Sequence, residues 1–220
     1  VFITGHTGFK GTWLTTILKK LGANILGYSL ELEQNSHFEL LNLENEIQHV
    51  IGDIRDQKKL SDTLMKFEPE FVFHLAAQAI VKQSYNEPVE TFSTNIMGSV
   101  NLLEAVKNCE SVRSLVYITS DKCYENVEWD WGYRENDRLG GYDPYSASKA
   151  AAEIVFSSYL RSFFGSKINL GAASVRAGNV IGGGDYSDNR IIPDCIRAIN
   201  SNTPITLRNP LATRPWQHVL

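Results

Sequence analysis

Cysteine is scarce in this 220-residue sequence, and its spacing argues against two common roles. The three cysteines, Cys109, Cys123 and Cys195, are odd in number and far apart. They indicate neither a disulfide framework nor a metal-ligand pattern, so we interpret them as reduced thiols of a cytoplasmic protein. The five histidines are also scattered, and we expect no metal site.

Long apolar runs and basic clusters are lacking as well. No apolar run approaches the roughly 20 residues that a membrane-spanning helix needs, so we expect no membrane association. The formal net charge is −4, and no cluster of lysine and arginine forms a basic stripe, so nucleic acid is not an expected partner. Hydrophobic residues make up 43% and charged residues 21%, which is typical of a folded globular domain.

Short apolar runs alternate with longer amphipathic stretches along most of the chain. The runs that predict strands cover residues 1–4, 24–29, 48–51, 71–75, 114–119 and 168–175. The stretches that predict helices cover residues 9–21, 56–66, 87–108 and 145–163. Strands that alternate with helices indicate an α/β fold, and strands that are apolar throughout indicate a buried parallel sheet. We predict a Rossmann-type, doubly wound parallel sheet.

The composition changes near residue 176, where segments rich in glycine, asparagine and proline begin. We predict a Rossmann domain over residues 1–175 and the start of a smaller substrate-binding lobe over residues 176–220. The sequence opens directly on a strand pattern and ends on the apolar pair Val219-Leu220, so we expect both ends to be truncated.

A glycine-rich turn joins the first predicted strand to the first predicted helix. Its sequence is Thr4-Gly5-His6-Thr7-Gly8-Phe9-Lys10-Gly11. Glycines at this junction allow the backbone to approach a pyrophosphate, and the helix N-terminus offers free N–H groups. The alternative is a glycine-rich turn without a ligand. The spacing resembles that of the extended short-chain dehydrogenases/reductases. That resemblance implies NAD binding by Gly5, Thr7, Gly8, Phe9, Lys10 and Gly11.

Three further segments match the cofactor-binding pattern of that family in part. Ser29 ends the second predicted strand where a carboxylate for the adenosine ribose is expected, and Glu31 comes two residues later. No arginine adjoins Ser29 to hold a 2′-phosphate, so we favour NAD over NADP. The resemblance implies that Asp53 binds the adenine amine with Ile54 beside it, while a helix N-cap is the alternative for Asp53. It also implies that Leu75-Ala76-Ala77 lies against the cofactor.

Tyr145 and Lys149 are four residues apart, on one face of a predicted helix. A nearby ammonium group would favour the phenolate form of Tyr145 for base catalysis, and Lys149 can also reach the nicotinamide ribose. By itself, this spacing is also that of an ordinary surface pair. The preceding strand ends at Thr119-Ser120, where we expect Thr119 to contact the cofactor and Ser120 the reacting oxygen. An ordinary strand-end hydroxyl is the alternative for Ser120.

Asp121 and Lys122 follow directly, where the side chains of a parallel strand point into the ligand crevice. Such a pair can donate one proton and remove another, while a solvated loop pair is the alternative. Family members that dehydrate nucleotide sugars carry Thr-Asp-Glu here, and Ser120-Asp121-Lys122 resembles the pattern of the CDP-glucose 4,6-dehydratases. We predict Asp121 as the acid and Lys122 as the base, with the reversed assignment open.

Three other stretches resemble the same subfamily: residues 129–137, 176–185 and 214–219. The substrate contacts that the resemblance implies are Gln78, Asn179, Arg190 and Arg214. A guanidinium fork at Arg214 suits a diphosphate. The plainer alternatives are a packed loop for the tryptophans of the first stretch, a flexible turn for glycines 182–184, and surface charges for Arg176 and Arg214.

The resemblance implies one reaction in three steps: oxidation at C4 of the sugar, loss of water across C5 and C6, and return of the hydride to C6. It would convert CDP-glucose into CDP-4-dehydro-6-deoxyglucose for deoxysugar and lipopolysaccharide biosynthesis. The alternatives are another nucleotide-sugar epimerase or dehydratase, a non-catalytic NAD-binding sensor, or an inactive fragment. The family also implies a homodimer or homotetramer, with an interface formed by the stretch 87–108 and the helix that carries Tyr145.

Overall fold

Among the described residues, six short parallel strands form the central sheet. The computed structural model describes residues 1–32, 34–165, 167, 169–207 and 209–220. The strands are β1 (Phe2–Thr4), β2 (Leu26–Ser29), β3 (Gln48–Ile51), β4 (Phe71–His74), β5 (Ser114–Ser120) and β6 (Gly171–Ala177). Their order across the sheet is β3-β2-β1-β4-β5-β6. This is the order of a doubly wound Rossmann sheet, so the predicted fold class is confirmed.

Helices connect the strands and cover the sheet. They are α1 (Phe9–Lys20), α2 (His37–Leu40), α3 (Gln57–Phe67), α4 (Val81–Asn86), α5 (Pro88–Phe92), α6 (Gly98–Asn108), α7 (Pro144–Tyr159) and α8 (Ile191–Asn200). The core between helices and sheet includes Phe2, Leu60, Leu102, Leu115 and Phe156, all buried. Burial of the central strands explains why most of them read as apolar throughout.

The strand order reverses between β1 and β4, which opens a crevice at the carboxyl ends of the strands. Thr4 pairs with His74 at this edge, and His74 pairs with Tyr117. β5 continues beyond this register to Ser120. Its last residues therefore stand at the rim of the crevice, where a ligand of such a fold binds.

Two of the predicted helices contain a π-helical turn, one in the middle of the helix and one at its end. The stretch 87–108 forms α5, a π-helical turn at Ser93–Met97, and α6. α7 passes into a second π-helical turn at Leu160–Phe164. A π-helical turn inserts an extra residue into the helical repeat, and the hydrophobic period of the sequence does not reveal it.

The last strand of the sheet lies later in the chain than the sequence predicts. The predicted strand covers residues 168–175, whereas β6 begins at Gly171 and ends at Ala177. Ile168 lies outside the described residues. β6 therefore ends two residues beyond the predicted domain boundary at 175, since turn composition marks a boundary only approximately.

The chain after β6 lies at the carboxyl edge of the sheet. It contains α8 and two paired parallel strands, β7 (Asn179–Ile181) and β8 (Trp216–His218). The indole N–H of Trp13 donates to the Gly183 carbonyl at 2.8 Å, and Gly184 lies against the ring of His37. This glycine segment is therefore packed against α1 and α2 rather than free.

Within the described ranges, no helix is both long enough and apolar enough to cross a membrane. In the same part of the chain, no group of three His, Cys, Asp or Glu side chains is arranged to hold a metal ion. Cys109, Cys123 and Cys195 are free thiols, and the first two are buried.

Candidate active site

In the glycine turn between β1 and α1, the backbone lies directly against the backbone after β4 and against that of the turn itself. Gly5 has a φ of +71°, and a Cβ there would lie 2.7 Å from the Ala76 nitrogen. A Cβ on Gly11 would lie 2.2 Å from the Gly5 carbonyl oxygen. Both distances are too short for a side chain, so glycine is required at each position. The turn thereby brings the start of α1 against the predicted cofactor segment 75–77.

The first turn of α1 offers backbone donors to a ligand. Gly8 is the N-cap and has no side chain, and the Thr12 N–H donates to the Gly8 carbonyl at 2.8 Å. The N–H groups of Phe9, Lys10 and Gly11 precede that bond, so the helix supplies no acceptor for them. Together with the positive end of the helix dipole, they suit a phosphate. This cradle fits the pyrophosphate of a dinucleotide.

Thr7 and Ser29 meet at the start of the crevice. The Thr7 hydroxyl donates to Ser29 Oγ at 3.0 Å, which ties the glycine turn to the end of β2. Ser29 is buried, whereas Glu31, two residues later, is exposed. The structure thus brings two predicted cofactor residues together, and their contact with a ribose stays a prediction.

Asp53 is not the N-cap of a helix, which was the alternative interpretation of this residue. The N-cap of α3 is Asp56, whose carboxylate accepts from the Lys59 N–H at 3.0 Å, so the N-cap interpretation of Asp53 is wrong. Asp53 accepts from Nε of Arg55 at 3.0 Å, and this hydrogen bond lowers the Asp53 pKa. The Ile54 side chain is buried in the core, which leaves only its backbone for a cofactor. The contact of Asp53 with adenine stays a prediction.

A buried asparagine that the sequence patterns did not reveal holds the segment after β4. The Gln78 N–H donates to Asn95 Oδ1 at 2.9 Å, and Asn95 Nδ2 donates to Ser148 Oγ at 2.8 Å. Ser148 belongs to α7, so Asn95 connects the crevice wall with that helix. The side-chain amide of Gln78 donates to Thr91 Oγ1 at 2.8 Å. The residue predicted to bind substrate therefore already has a protein partner.

Tyr145 and Lys149 lie on α7, named here the catalytic helix, and both are 7% exposed. Asp143 caps this helix by accepting from the Ser146 N–H at 2.9 Å. The hydroxyls of Tyr145 and Ser120 are hydrogen-bonded. The Lys149 Nζ lies 6.0 Å from the centre of the Tyr145 ring. The structure therefore brings together the three residues predicted for the redox step.

The protonation of Tyr145 differs from the expectation. Burial raises the Tyr145 pKa to about 12, against a smaller lowering by the hydrogen bond with Ser120. Burial, followed by the positive charge of Lys10, lowers the pKa of Lys149 to about 8. The groups that lower the Tyr145 pKa are Ser120 and Arg190, so the predicted stabilisation of the phenolate by Lys149 stays a prediction. The cost of removing a phenolate from water exceeds the lowering by these two groups.

Asp121, Lys122 and Cys123 form a short 3-10 turn directly after β5, named here the acid–base turn. The Lys122 Nζ lies 3.5 Å from Asp121 Oδ1 and donates to Asn179 Oδ1 at 3.3 Å. The Ser120 hydroxyl donates to Asp121 Oδ1 at 3.0 Å. Since Lys122 and Asp121 are only 28% and 23% exposed, they are not a solvated loop pair. Asn179 joins them from the region after β6, and its contact with a substrate stays a prediction.

Arg190 reaches the same part of the crevice. It forms an ion pair with Asp185 at 3.1 Å. Burial and then the charge of Arg190 lower the pKa of Lys10, with a smaller lowering by Lys122. The Lys10 ammonium group is therefore within electrostatic reach of Arg190 and of the acid–base turn. Arg214 is exposed and donates to the preceding carbonyl at 2.8 Å, so its contact with a diphosphate stays a prediction.

A buried ion pair adjoins the catalytic helix. Glu153, one turn after Lys149, is 4% exposed and pairs with Arg176 at 2.9 Å. Arg176 is 16% exposed, so it is not the surface charge that the plainer alternative assigned. Glu153 also accepts from the Thr119 hydroxyl, and the contact of Thr119 with a cofactor stays a prediction. Glu153 repeats the four-residue spacing of Tyr145 and Lys149, a signal in the sequence that could have found it.

Residues 1–220 match the sequence model of the NAD dependent epimerase/dehydratase family, and the chain belongs to this family. It is 53% identical over 225 residues to a CDP-glucose 4,6-dehydratase of Salmonella typhimurium, which covers 100% of this chain and 63% of that relative. It is 31% identical over 183 residues to a CDP-paratose 2-epimerase of Salmonella typhi, which covers 74% of this chain and 53% of that relative. The chain thus spans less than two thirds of the length of these relatives.

A solved structure gives a similar result for the fold. The UDP-glucose 4-epimerase of Thermus thermophilus, in complex with NAD, superposes with a TM-score of 0.83 at 28% identity. The superposition covers 99% of this chain and 70% of the epimerase. Sheet, catalytic helix and the region after β6 are therefore all parts of a fold that this family shares.

Proposed function

We propose that the intact protein converts CDP-glucose into CDP-4-dehydro-6-deoxyglucose with NAD as its cofactor. The observation that carries this proposal is the acid–base turn, where Lys122 lies 3.5 Å from Asp121 beside Ser120. C4 oxidation alone needs no such pair, whereas elimination of water needs both a base and an acid. The similarity to the CDP-glucose 4,6-dehydratase of Salmonella typhimurium supports the choice of nucleotide.

The residues that would hold the cofactor are those of the glycine turn and the first turn of α1. Their backbone N–H groups suit the pyrophosphate, while Thr7, Ser29 and Lys149 provide polar groups for the ribose hydroxyls. The chemistry that NAD supplies when bound is reversible hydride transfer.

Tyr145 would act as the base at the C4 hydroxyl of glucose. The O4–H proton passes to the Tyr145 phenolate while the C4–H bond breaks with its electron pair and C4 becomes a carbonyl. The hydrogen bond with Ser120 lowers the Tyr145 pKa toward the required form. Because the Lys149 pKa is about 8, a large part of this lysine is still protonated near neutral pH and supports the phenolate.

The acid–base turn would carry out the elimination. The C4 carbonyl acidifies the C5–H bond, so a base removes that proton while the C6 hydroxyl accepts a proton and leaves as water. Our assignment makes Lys122 the base and Asp121 the acid. When Lys122 carries an ammonium group and Asp121 a carboxylate, the two groups form an ion pair at 3.5 Å. If Lys122 is the base and Asp121 the acid, this ion pair forms only after both protons have been transferred. If the roles are reversed, the ion pair is present before the transfers.

Substrate choice is tested by incubating the intact protein and NAD with CDP-glucose, dTDP-glucose or UDP-glucose. We expect the 4-keto product, measured by its absorbance in alkali, from CDP-glucose at a rate at least about tenfold above the other two. No product from CDP-glucose, or equal product from all three, would contradict the proposal.

Lys122→Met tests the elimination. We expect the dehydration rate to fall by roughly 100-fold or more while reduced nicotinamide still forms, because the variant retains Tyr145 and Lys149. Incorporation of solvent deuterium at C5 separates the two assignments. Exchange is lost if Lys122 is the base and persists without water loss if Lys122 is the acid. Lys82→Met, at an exposed lysine, is the matched control and keeps the wild-type rate.

We propose further that the protein acts in the cytoplasm as a homodimer and supplies deoxysugars for lipopolysaccharide. Exposed apolar side chains on α5 and the catalytic helix, such as Val89 and Ile154, support the dimer. The free thiols of the three cysteines support the compartment. Analytical ultracentrifugation of the intact protein tests the assembly. A monomer that persists at high concentration would contradict it.

A further inference from the structure

Glu153 and Arg176 have no part in the chemistry proposed above, although both are charged and buried. Their ion pair measures 2.9 Å, and Glu153 is 4% exposed. A buried charge is costly unless it is paired and hydrogen-bonded, and an apolar pair of similar volume is often as stable. Stability alone therefore does not explain the pair, and the elements that it connects point to a functional role.

Glu153 connects the catalytic helix with two strands. Its carboxylate accepts from the Thr119 hydroxyl on β5 and from the Ser174 hydroxyl on β6, the latter at 3.0 Å. Thr119 directly precedes Ser120, the hydrogen-bonding partner of Tyr145. Through Glu153, the end of β5 is thus fixed against the helix.

Arg176 extends this connection to the chain beyond the acid–base turn. Its NH1 group donates to the Tyr124 hydroxyl and to the Glu135 carbonyl, both at 2.9 Å. Its guanidinium carbon also lies 4.8 Å from the centre of the Tyr124 ring. Tyr124 directly follows the acid–base turn and begins a segment, residues 124–135, that we name the aromatic loop. Arg176 therefore holds both ends of the aromatic loop.

We propose that Glu153 and Arg176 are a positioning pair, which fixes the acid–base turn relative to the catalytic helix. Tyr145 and Lys149 belong to a helix whose residues Ala152 and Phe156 pack in the hydrophobic core. The acid–base turn is only three residues long, and its position depends on what holds its two ends. Ser120 lies at one end and Tyr124 at the other, and the positioning pair reaches both sides. This inference rests on the proposed function.

A loss of the positioning pair should slow elimination more than oxidation. In single-turnover experiments on the intact protein with NAD and CDP-glucose, oxidation is followed by the appearance of reduced nicotinamide. Elimination is followed by its decay and by the 4-keto-6-deoxy product. For Arg176→Met we expect elimination to slow by roughly 10- to 100-fold, as displacements of about 1 Å can do, while oxidation changes by less than about threefold. Reduced nicotinamide therefore accumulates.

Two further variants separate positioning from stability. Glu153→Met combined with Arg176→Met removes both charges, so neither remains unpaired, and we expect its thermal midpoint to stay close to that of the wild type. Elimination should remain slow in this double variant. Arg176→Lys retains a charge for Glu153 but lacks the planar fork that reaches Tyr124 and Glu135, so it should also accumulate reduced nicotinamide.

Hydrogen exchange gives a readout that needs neither cofactor nor substrate. We expect faster exchange of backbone amides in the aromatic loop of Arg176→Met, with no change in the catalytic helix. Arg113→Met is the matched control, because Arg113 lies at the opposite end of β5 and its side chain is 60% exposed. It should behave as wild type in both measurements.

The inference is overturned if oxidation and elimination slow by the same factor in Arg176→Met, or if the double variant eliminates water at the wild-type rate. Either result would make the pair a structural feature only. If the wild-type protein forms no product from CDP-glucose, the proposed function fails instead. The exchange experiment then still decides whether the pair holds the aromatic loop.

Discussion

The two lysines of the candidate site differ in their surroundings. Lys149 lies on the catalytic helix, is 7% exposed, and has a pKa of about 8 because it is buried. Lys122 lies on a three-residue turn, is 28% exposed, and is held by Asp121 and by Asn179 from the region after β6. One lysine belongs to the packed core of the Rossmann domain, and the other belongs to its rim.

This difference matches the division of chemistry that we propose. The residues that we propose for the redox step lie where helix and sheet fix them. The residues that we propose for the elimination lie on a turn that contacts Asn179 in the region after β6. A fold of this kind can change its reaction at the rim while the buried part stays the same.

The largest effect should come from Tyr145→Phe, which removes the base that we propose for the redox step. We expect dehydration to fall by roughly 100- to 10,000-fold, with no reduced nicotinamide formed from CDP-glucose. Lys122→Met should still form reduced nicotinamide. The two variants therefore distinguish the role of the catalytic helix from that of the acid–base turn. NAD affinity by calorimetry is the control and should change little. Formation of reduced nicotinamide by Tyr145→Phe would contradict the assignment of oxidation to the catalytic helix.

A smaller effect is expected from an added methyl group in the glycine turn. Gly11→Ala places a Cβ 2.2 Å from the Gly5 carbonyl, so the turn must open. We expect a loss of about 1–3 kcal/mol in the free energy of unfolding and an NAD affinity that is weaker by about tenfold or more. Gly183→Ala is the matched control, because a Cβ there has nothing within 4 Å. Both variants are measured by urea unfolding and by calorimetry. Equal effects would show that the glycine turn is no more closely packed than the glycine segment at the rim.

The last prediction concerns the pH dependence that two buried histidines impose on stability. Burial lowers the pKa of His6 and of His74 to about 3. Since an unfolded histidine titrates near pH 6.5, the unfolded chain binds more protons between about pH 6.5 and about pH 3. The free energy of unfolding should therefore fall as the pH is lowered through this window, by up to about 1.4 kcal/mol per pH unit for each histidine.

Urea unfolding of two histidine variants at a series of pH values tests this dependence. His74→Gln should flatten the slope of stability against pH relative to wild type, because it removes one of the two buried groups. His218→Gln, at an exposed histidine near the end of the chain, should leave the slope unchanged. Equal slopes for both variants would mean that burial of His74 does not govern its protonation.

The sequence by itself determined the class of fold and indicated the residues that we propose for the redox step. Alternation of apolar runs with amphipathic stretches is a local property of the chain, and it predicted the central sheet with boundaries close to those observed. The spacings of the glycine turn and of Tyr145 and Lys149 are also local, because each lies within a single turn or helix face. Such features are specified by neighbouring residues, so they can be found without a structure.

Only the tertiary structure decided which groups meet across the chain. Asn95 bridges Gln78 and Ser148, and Arg176 pairs with Glu153, over separations that no periodicity records. The Tyr145 pKa is raised by burial, and burial likewise depends on what the fold places around the side chain. The physical reason is the same in each case. Hydrogen bonds, ion pairs and desolvation depend on distances in space, and the sequence specifies those distances only through the completed fold.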